Sequence, residues 1–333
     1  MRALVGATRD SIEVCPFGPL ARFRAGAVVR MHAAVVPTRS FSLHHAPQQE
    51  SHPMSATSRT ETVAMLTKLT REMRATILEM ITQAASGHPG GSLSAIDFIA
   101  ALFTTRLKHD PKNPSWVDRD RFILSKGHAV PALYVTLAHQ GYFDAKLLPT
   151  LRQLGSPLQG HPVNRFMTAC EAPTGSLGQG LSVAQGIALA GKLDGKSYKT
   201  FCLMGDGEIQ EGQVWEAAMS AAKFKLDNLV AIVDWNGGQI DGSITEVMPS
   251  LEPVVAKFEA FGWDVKEIDG HDFNAILDAI AWADGAGDKP KCIVSRTVKG
   301  KGVSFVEHPT KYHGAALSKD ELAKALAELK EAK

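Results

Sequence analysis

The sequence predicts an α/β protein built on a doubly wound, mostly parallel sheet flanked by helices. Three observations predict it. Short apolar, β-rich runs alternate with helix-forming stretches, a pattern that demands crossover connections and parallel strands. Two of those runs, at 200–204 and 229–233, end in polar, glycine-containing turns. The chain of 333 residues is 44% hydrophobic and 21% charged, enough to bury a large core.

In chain order, residues 1–53 stand apart. Arginine is their strong base, Asp10, Glu13 and Glu50 are their acids, and five prolines break any long helix. They are expected to be a poorly ordered leader, either an Arg-rich organellar presequence or upstream sequence translated from a misassigned start, with Met54 the true first residue. Residues 54–333 are then the functional domain. From Thr60 helical periodicity begins, with Met65, Leu69, Met73, Ile77 and Ile81 at four-residue steps until Gly87 and Pro89. Strands are predicted at 121–124, 200–204, 229–233, 264–268 and 292–298. Helices are predicted at 176–192, 211–224, 251–261, 272–283 and 319–330; the last is expected to end the domain or lead toward a partner.

Composition excludes several functions. A net charge of +1 provides no field for nucleic acid, and no run of 18 apolar residues marks a membrane span. Cys15, Cys170, Cys202 and Cys292 show no CxxC spacing and read as reduced structural thiols, as expected of a cytoplasmic protein.

The most informative segment is Met204-Gly205-Asp206-Gly207-Glu208, followed thirty positions after Asp206 by Asn236 in Asp234-Trp235-Asn236-Gly237-Gly238-Gln239-Ile240. Each half is a strand running into a turn. Open parallel sheets bind ligands beyond the carboxyl ends of their strands, so a strand-helix-strand unit of this length brings Asp206 and Asn236 together there. Mg²⁺ takes hard oxygen donors and accepts few protein side chains when phosphate and water complete its shell. Asp206, the Asn236 side-chain carbonyl and a main-chain carbonyl near Gly238 meet that need. Gly205 and Gly207 allow close backbone approach to a diphosphate, and a helix starting near Glu211 offers amide groups to it.

Three segments place histidine beside glycine or proline: Ser86-Gly87-His88-Pro89-Gly90-Gly91, Ser125-Lys126-Gly127-His128 and Gln159-Gly160-His161-Pro162. A fourth, Tyr312-His313-Gly314, lies near the end. Such turn-like contexts are where functional groups collect. With Thr174-Gly175-Ser176-Leu177-Gly178-Gln179-Gly180 and the Gly205 to Gly242 motif, these segments resemble the amino-terminal domain of transketolases, over about residues 60–317.

That resemblance implies the diphosphate domain of the thiamine-diphosphate-binding fold. It implies transfer of a two-carbon ketol unit between sugar phosphates, with pentose phosphates the family default. Thiamine diphosphate would be held through Mg²⁺, or Ca²⁺ or Mn²⁺ in its place. His88 is expected near the reacting carbon, His128 between diphosphate and substrate, and His161 on a hydroxyl of the transferred unit. His313 is expected as a proton-transfer or polarising group, an imidazole with an ordinary pKa of about 6.5 suiting that task near neutrality. Asp206, Asn236 and Gly238 would hold the metal, and Gly207 would meet the diphosphate. Gly175 would offer backbone to the aminopyrimidine and Leu177 would pack on the cofactor rings. Ser176, Gly205, Glu208 and Ile240 complete the cofactor-binding set, with Glu211 bracing the motif.

Single-chain transketolases continue into a pyrimidine-binding domain carrying an activating glutamate, whereas this sequence stops at Lys333. The expectation is therefore the amino-terminal subunit of a split transketolase, in a heterotetramer with a carboxy-terminal subunit. Two features depart from the family pattern: the approach Met167 to Pro173, and Lys299-Gly300-Lys301-Gly302 in place of a Gly-aromatic-Gly turn. That second turn is shared with deoxyxylulose-phosphate synthases, one rival reading. The alpha chain of a 2-oxo acid dehydrogenase is another, and a non-catalytic binding relative a third.

Overall fold

A computed structural model describes residues 56–307 and 310–331, with side chains from Ser58 onward. The leader and the Met54 start expected above lie outside the described residues. Two long helices open the domain, α1 (Ala56–Ala84) and α2 (Pro89–Thr105). Strand β1 (Arg121–Leu124) leads into α3 (Val130–His139), and an irregular connection reaches α4 (Gln179–Leu193). Then β2 (Thr200–Gly205), α5 (Gly212–Lys223) and β3 (Leu229–Trp235) follow. A small hairpin, β4 (Gly238–Gln239) and β5 (Gly242–Ser243), precedes α6 (Ile244–Val247) and α7 (Val254–Ala260). Finally come β6 (Asp264–Asp269), α8 (Phe273–Asp284), β7 (Lys291–Arg296) and α9 (Lys319–Glu331).

The main sheet has the order β1-β2-β3-β7-β6, and every neighbouring pair is parallel. Period-two alternation splits each central strand between two cores. Phe201, Leu203, Val230 and Ile232 face the layer of α1, α2, α3 and α8, whereas Cys202, Met204, Ala231 and Val233 face α4, α5 and α7. Full burial on both faces explains why these strands read as continuous apolar runs. Cys170, Cys202 and Cys292 are buried free thiols, and among the described residues no helix is long and apolar enough to cross a membrane.

The five predicted strands stand within three residues of their expected ends. The helix expected over 251–261 is shorter, α7 beginning only after Pro253. Helices α2 and α3 have no counterpart among the helices expected from the sequence: α2 begins inside the turn-like segment around His88, and α3 begins directly after the one around His128. Both are buried almost throughout, so neither has the polar face that creates helical periodicity. Each also carries proline in its first turn, where the missing N–H costs nothing and the fixed φ favours the helix.

A buried ion pair fastens α1 to α2. Arg74 donates from Nη1 and Nη2 to Asp97 Oδ1 and Oδ2 at 2.9 and 2.7 Å, and from Nε to Lys301 O at 3.0 Å. His271 Nδ1 lies 2.7 Å from Asp97 Oδ2, and its Nε2 accepts from Val298 N at 2.9 Å. Burial alone would raise the Asp97 pKa, but the Arg74 charge and the hydrogen bonds from His271 and Arg74 outweigh it and hold the carboxyl at about 2. A depressed carboxylate stabilises the fold above its unfolded value near 4 and ceases to as pH falls through about 2, a contribution on the order of 2 kcal/mol. Denaturant midpoints of Asp97→Asn and the native chain should accordingly differ most at neutral pH and converge only below about pH 2.

Candidate active site

The carboxyl ends of β1, β2, β3 and β7 converge on one cavity of about 350 Å³. At the end of β2, Asp206 is almost fully buried and both its oxygens accept from the main chain: Oδ1 from Gly207 N at 2.7 Å and Oδ2 from Gly237 N at 2.6 Å. Gly237 follows Asn236, so the parallel pairing of β2 with β3 brings the carboxylate and the amide to one place. Asn236 Oδ1 accepts from Gly238 N at 3.1 Å, while its Nδ2 donates to Ser94 Oγ at 3.2 Å and Asp234 Oδ2 at 3.3 Å. These partners fix the amide orientation, leaving its oxygen on the cavity side. Burial, then the neighbouring Asp234 charge, push the Asp206 carboxyl up to about 6.

Asp234 is the hub beneath this pair. It is enclosed and accepts from Lys126 Nζ, Ser94 Oγ, Thr297 Oγ1 and Asn236 Nδ2. Lys126, 1% exposed, also donates to Gly91 O at 3.0 Å. One carboxylate thus ties α2, the β1 exit, the β3 exit and the β7 exit together. Glu208 braces the glycine turn from the other side, accepting from Gly178 N and Gly205 N at 3.0 Å each and from Ser125 Oγ. The bracing expected of Glu211 falls to Glu208.

Four imidazoles gather at the mouth. His88 lies centrally, its ring centroid 5.1 Å from His128, 5.7 Å from His313 and 6.4 Å from His161; His128 and His313 are 5.3 Å apart. All four titrate below the ordinary histidine value. Burial is the main cause throughout, supplemented by Arg152 at His88 and His161, by Lys126 at His128 and by Lys299 at His313. His88 and His313 are held at about 4. At neutral pH these are uncharged imidazoles, which differs from the near-neutral proton exchange expected from an unperturbed ring.

Lys299 organises His313. Its buried ammonium donates to Gly238 O at 2.9 Å, to Gln239 O at 3.3 Å and to His313 Nδ1 at 2.8 Å. Burial lowers its pKa to about 8, still cationic at pH 7. Lysine only donates, so His313 Nδ1 accepts and the ring proton sits on Nε2.

Of the residues singled out in the sequence, Leu177, Gly205, Asp206, Gly207, Glu208, Asn236, Gly238, Ile240, His128 and His313 line the cavity. His88 and His161 lie just beyond it, joined to it through the ring contacts. Gly175 is not on the cavity wall but backs His161: with φ +133°, a Cβ there would stand 2.8 Å from the His161 ring. Ser176 is outside the lining as well. Lys126, Asp234 and Lys299 have no role in the sequence-based expectations. Lys126 stands two residues before His128 and Asp234 two before Asn236, so proximity to the motifs is the one signal the sequence offers for them.

Glycine turns and hard oxygen donors at the carboxyl edge of a parallel sheet define a diphosphate-binding domain of the doubly wound class. Residues 66–330 match the family described as transketolase, thiamine diphosphate binding domain. A 6-deoxy-6-sulfo-D-fructose transketolase subunit of Clostridium sp. (strain MSTE9) is 46% identical over 257 residues, which is 77% of this chain and 93% of that protein. One of the subunits of the apulose-4-phosphate transketolase of Phocaeicola vulgatus is 43% identical over 258 residues, 78% of this chain and 91% of that protein. The crystal structure of a Campylobacter jejuni transketolase superposes with a TM-score of 0.76 at 36% identity, over 80% of this chain but only 43% of the longer one. The chain belongs to the transketolase family, with the thiamine-diphosphate-binding fold of its amino-terminal domain.

Proposed function

We propose that this chain is the cofactor-binding subunit of a two-chain transketolase, which moves a two-carbon ketol unit from a ketose phosphate to an aldose phosphate. A separate chain with a pyrimidine-binding domain completes the site, two of each forming a heterotetramer in the cytoplasm. The observation that carries the proposal is the cluster of four uncharged histidines opening beside the Asp206–Asn236 pair.

The residues present fit thiamine diphosphate and a divalent cation. Asp206 is a buried carboxylate held only by main-chain N–H groups, a state that a cation beside it would favour. With Asn236 Oδ1 it forms a hard-oxygen set suited to Mg²⁺, Ca²⁺ or Mn²⁺. Gly238 O, the third expected donor, accepts from Lys299 and retains a second lone pair. Among the described residues no cluster of three or more His, Cys, Asp or Glu could hold a metal, so the cation would rest on this mixed set and on phosphate. His88 Nδ1 is buried without a hydrogen-bond partner, ready for a ligand hydroxyl. When bound, thiamine diphosphate supplies the electron sink for carbon–carbon bond cleavage.

The chain's own groups would orient and polarise the sugar. His313, with its proton set on Nε2 by Lys299, donates to a substrate oxygen and is backed by the Lys299 cation across the ring. His88, His128 and His161 act as neutral hydrogen-bonding groups toward hydroxyls. Leu177 and Ile240 stand 36% and 66% exposed at the cavity rim, leaving apolar surface for the second chain and the cofactor rings to cover. The names of the two relatives, each one chain of a transketolase, and their nearly full-length match support the split arrangement.

Reconstitution tests the reading. The purified chain with its partner should transfer ketol units from xylulose 5-phosphate to ribose 5-phosphate at least about a hundredfold faster than either chain alone. Equal activity of this chain without a partner would refute the two-chain assignment, and turnover of pyruvate in place of the sugars would refute the ketol one.

A further inference from the structure

Arg152 lies off the cavity wall, yet three observations converge on it. Its backbone is left-handed, φ +59°, a conformation that a non-glycine residue holds only when its surroundings impose it. The main-chain N–H donates to Leu158 O at 2.8 Å, closing a short loop that presents the side chain inward. The guanidinium then reaches two segments at once: Nη1 donates to Ser86 Oγ at 3.2 Å and Nη2 to Gly160 O at 3.3 Å. Gly160 leaves room for it, since a Cβ there would stand 2.7 Å from Arg152 Cζ.

Ser86 is two residues before His88, and Gly160 immediately precedes His161. We propose that Arg152 is a positioning residue that clamps the His88 and His161 segments to each other and so sets the substrate-facing histidine pair. The proposal rests on the ketol-transfer reading above. The two histidines come from distant parts of the chain, one at the start of α2 and the other in the connection between α3 and α4, and their rings stand 6.4 Å apart. A planar guanidinium with divergent donors can bridge a hydroxyl and a carbonyl on separate loops, whereas a lysine ammonium on the same backbone cannot span both.

The clamp also carries charge. His88 faces Arg152, His161 and Lys299, with the His128 and His313 rings against it, and His161 faces Arg152. After burial, the Arg152 cation is the next contributor to the lowered titration of both rings. The position of the pair, and the part of its lowered titration that burial does not supply, thus trace in large measure to one side chain.

Arg152→Gln and Arg152→Lys separate the two effects. In the purified full chain, labelled-histidine NMR should show the His88 and His161 titrations moving up in Arg152→Gln and staying near their native positions in Arg152→Lys. In the two-chain complex, both variants should raise the KM for the donor ketose phosphate about tenfold, while the Kd for thiamine diphosphate measured by calorimetry changes by less than about threefold. If Arg152→Gln does not fold, Gly160→Ala displaces the guanidinium without removing the charge and should give the same KM rise. Native-like titrations in folded Arg152→Gln, with KM unchanged within about twofold, would overturn the clamp. A native complex that transfers no ketol unit would instead sink the functional reading, and the titrations would still decide the clamp.

Discussion

Asp206→Ala in the reconstituted complex is expected to weaken thiamine diphosphate uptake by about a hundredfold or more, equivalent to about 3 kcal/mol. Two losses combine. The carboxylate is the one anionic oxygen donor in the proposed cation set, and it also holds Gly207 N and Gly237 N, the two turns that shape the diphosphate side of the cavity. Asp206→Asn keeps an acceptor for one of those turns but sets an NH₂ donor against the other N–H and carries no charge, so it should lower the melting temperature by a few degrees, less than Asp206→Ala, while losing most of the affinity. Calorimetric titration with thiamine diphosphate and Mg²⁺ measures both variants. Native affinity in Asp206→Ala would remove the Asp206–Asn236 pair as the anchor of the cofactor.

Asp234→Ala should be the more damaging change to the fold. Lys126 is 1% exposed and pairs with this carboxylate, and removing one partner of a buried ion pair leaves an uncompensated charge at a cost of about 3–5 kcal/mol. For a domain of this size that corresponds to a melting temperature lower by roughly 10 °C. The same substitution frees the Asn236 amide from one of its two acceptors, so cofactor affinity should fall as well. Scanning calorimetry of Asp234→Ala beside Lys126→Met/Asp234→Leu separates the contributions: the double variant removes both charges and should recover much of the lost stability. A melting temperature within about 2 °C of native in the single variant would mean that Lys126 finds water or another acceptor.

The parallel sheet was legible in the sequence because strands buried on both faces must be continuously apolar, and the runs at 200–205 and 229–235 are. Asp206 and Asn236 were legible for a related reason: a strand-helix-strand unit returns to the same edge, so thirty residues of chain separate groups that end as neighbours. What escaped was whatever depends on being enclosed. Helices α2 and α3 have no solvated side, and the glycines and prolines at or just before their starts imitate a turn. Lys126 and Lys299 are charged residues in glycine-rich segments, where exposure is the ordinary expectation. The carboxylate partner of Lys126 lies 108 residues away, and no local pattern announces a pairing at that distance. The lowered histidine titrations depend likewise on burial and on cations from other segments.

Because successive residues of β2 and β3 serve different cores, the strand ends that carry Asp206 and Asn236 are gripped from above and below by independent sets of helices. A lost methyl group in either layer would tilt the same turns. Cofactor affinity is thereby a sensitive gauge of packing throughout the domain, and substitutions away from the cavity wall, such as at Phe201 or Cys202, would register there before the chain unfolds.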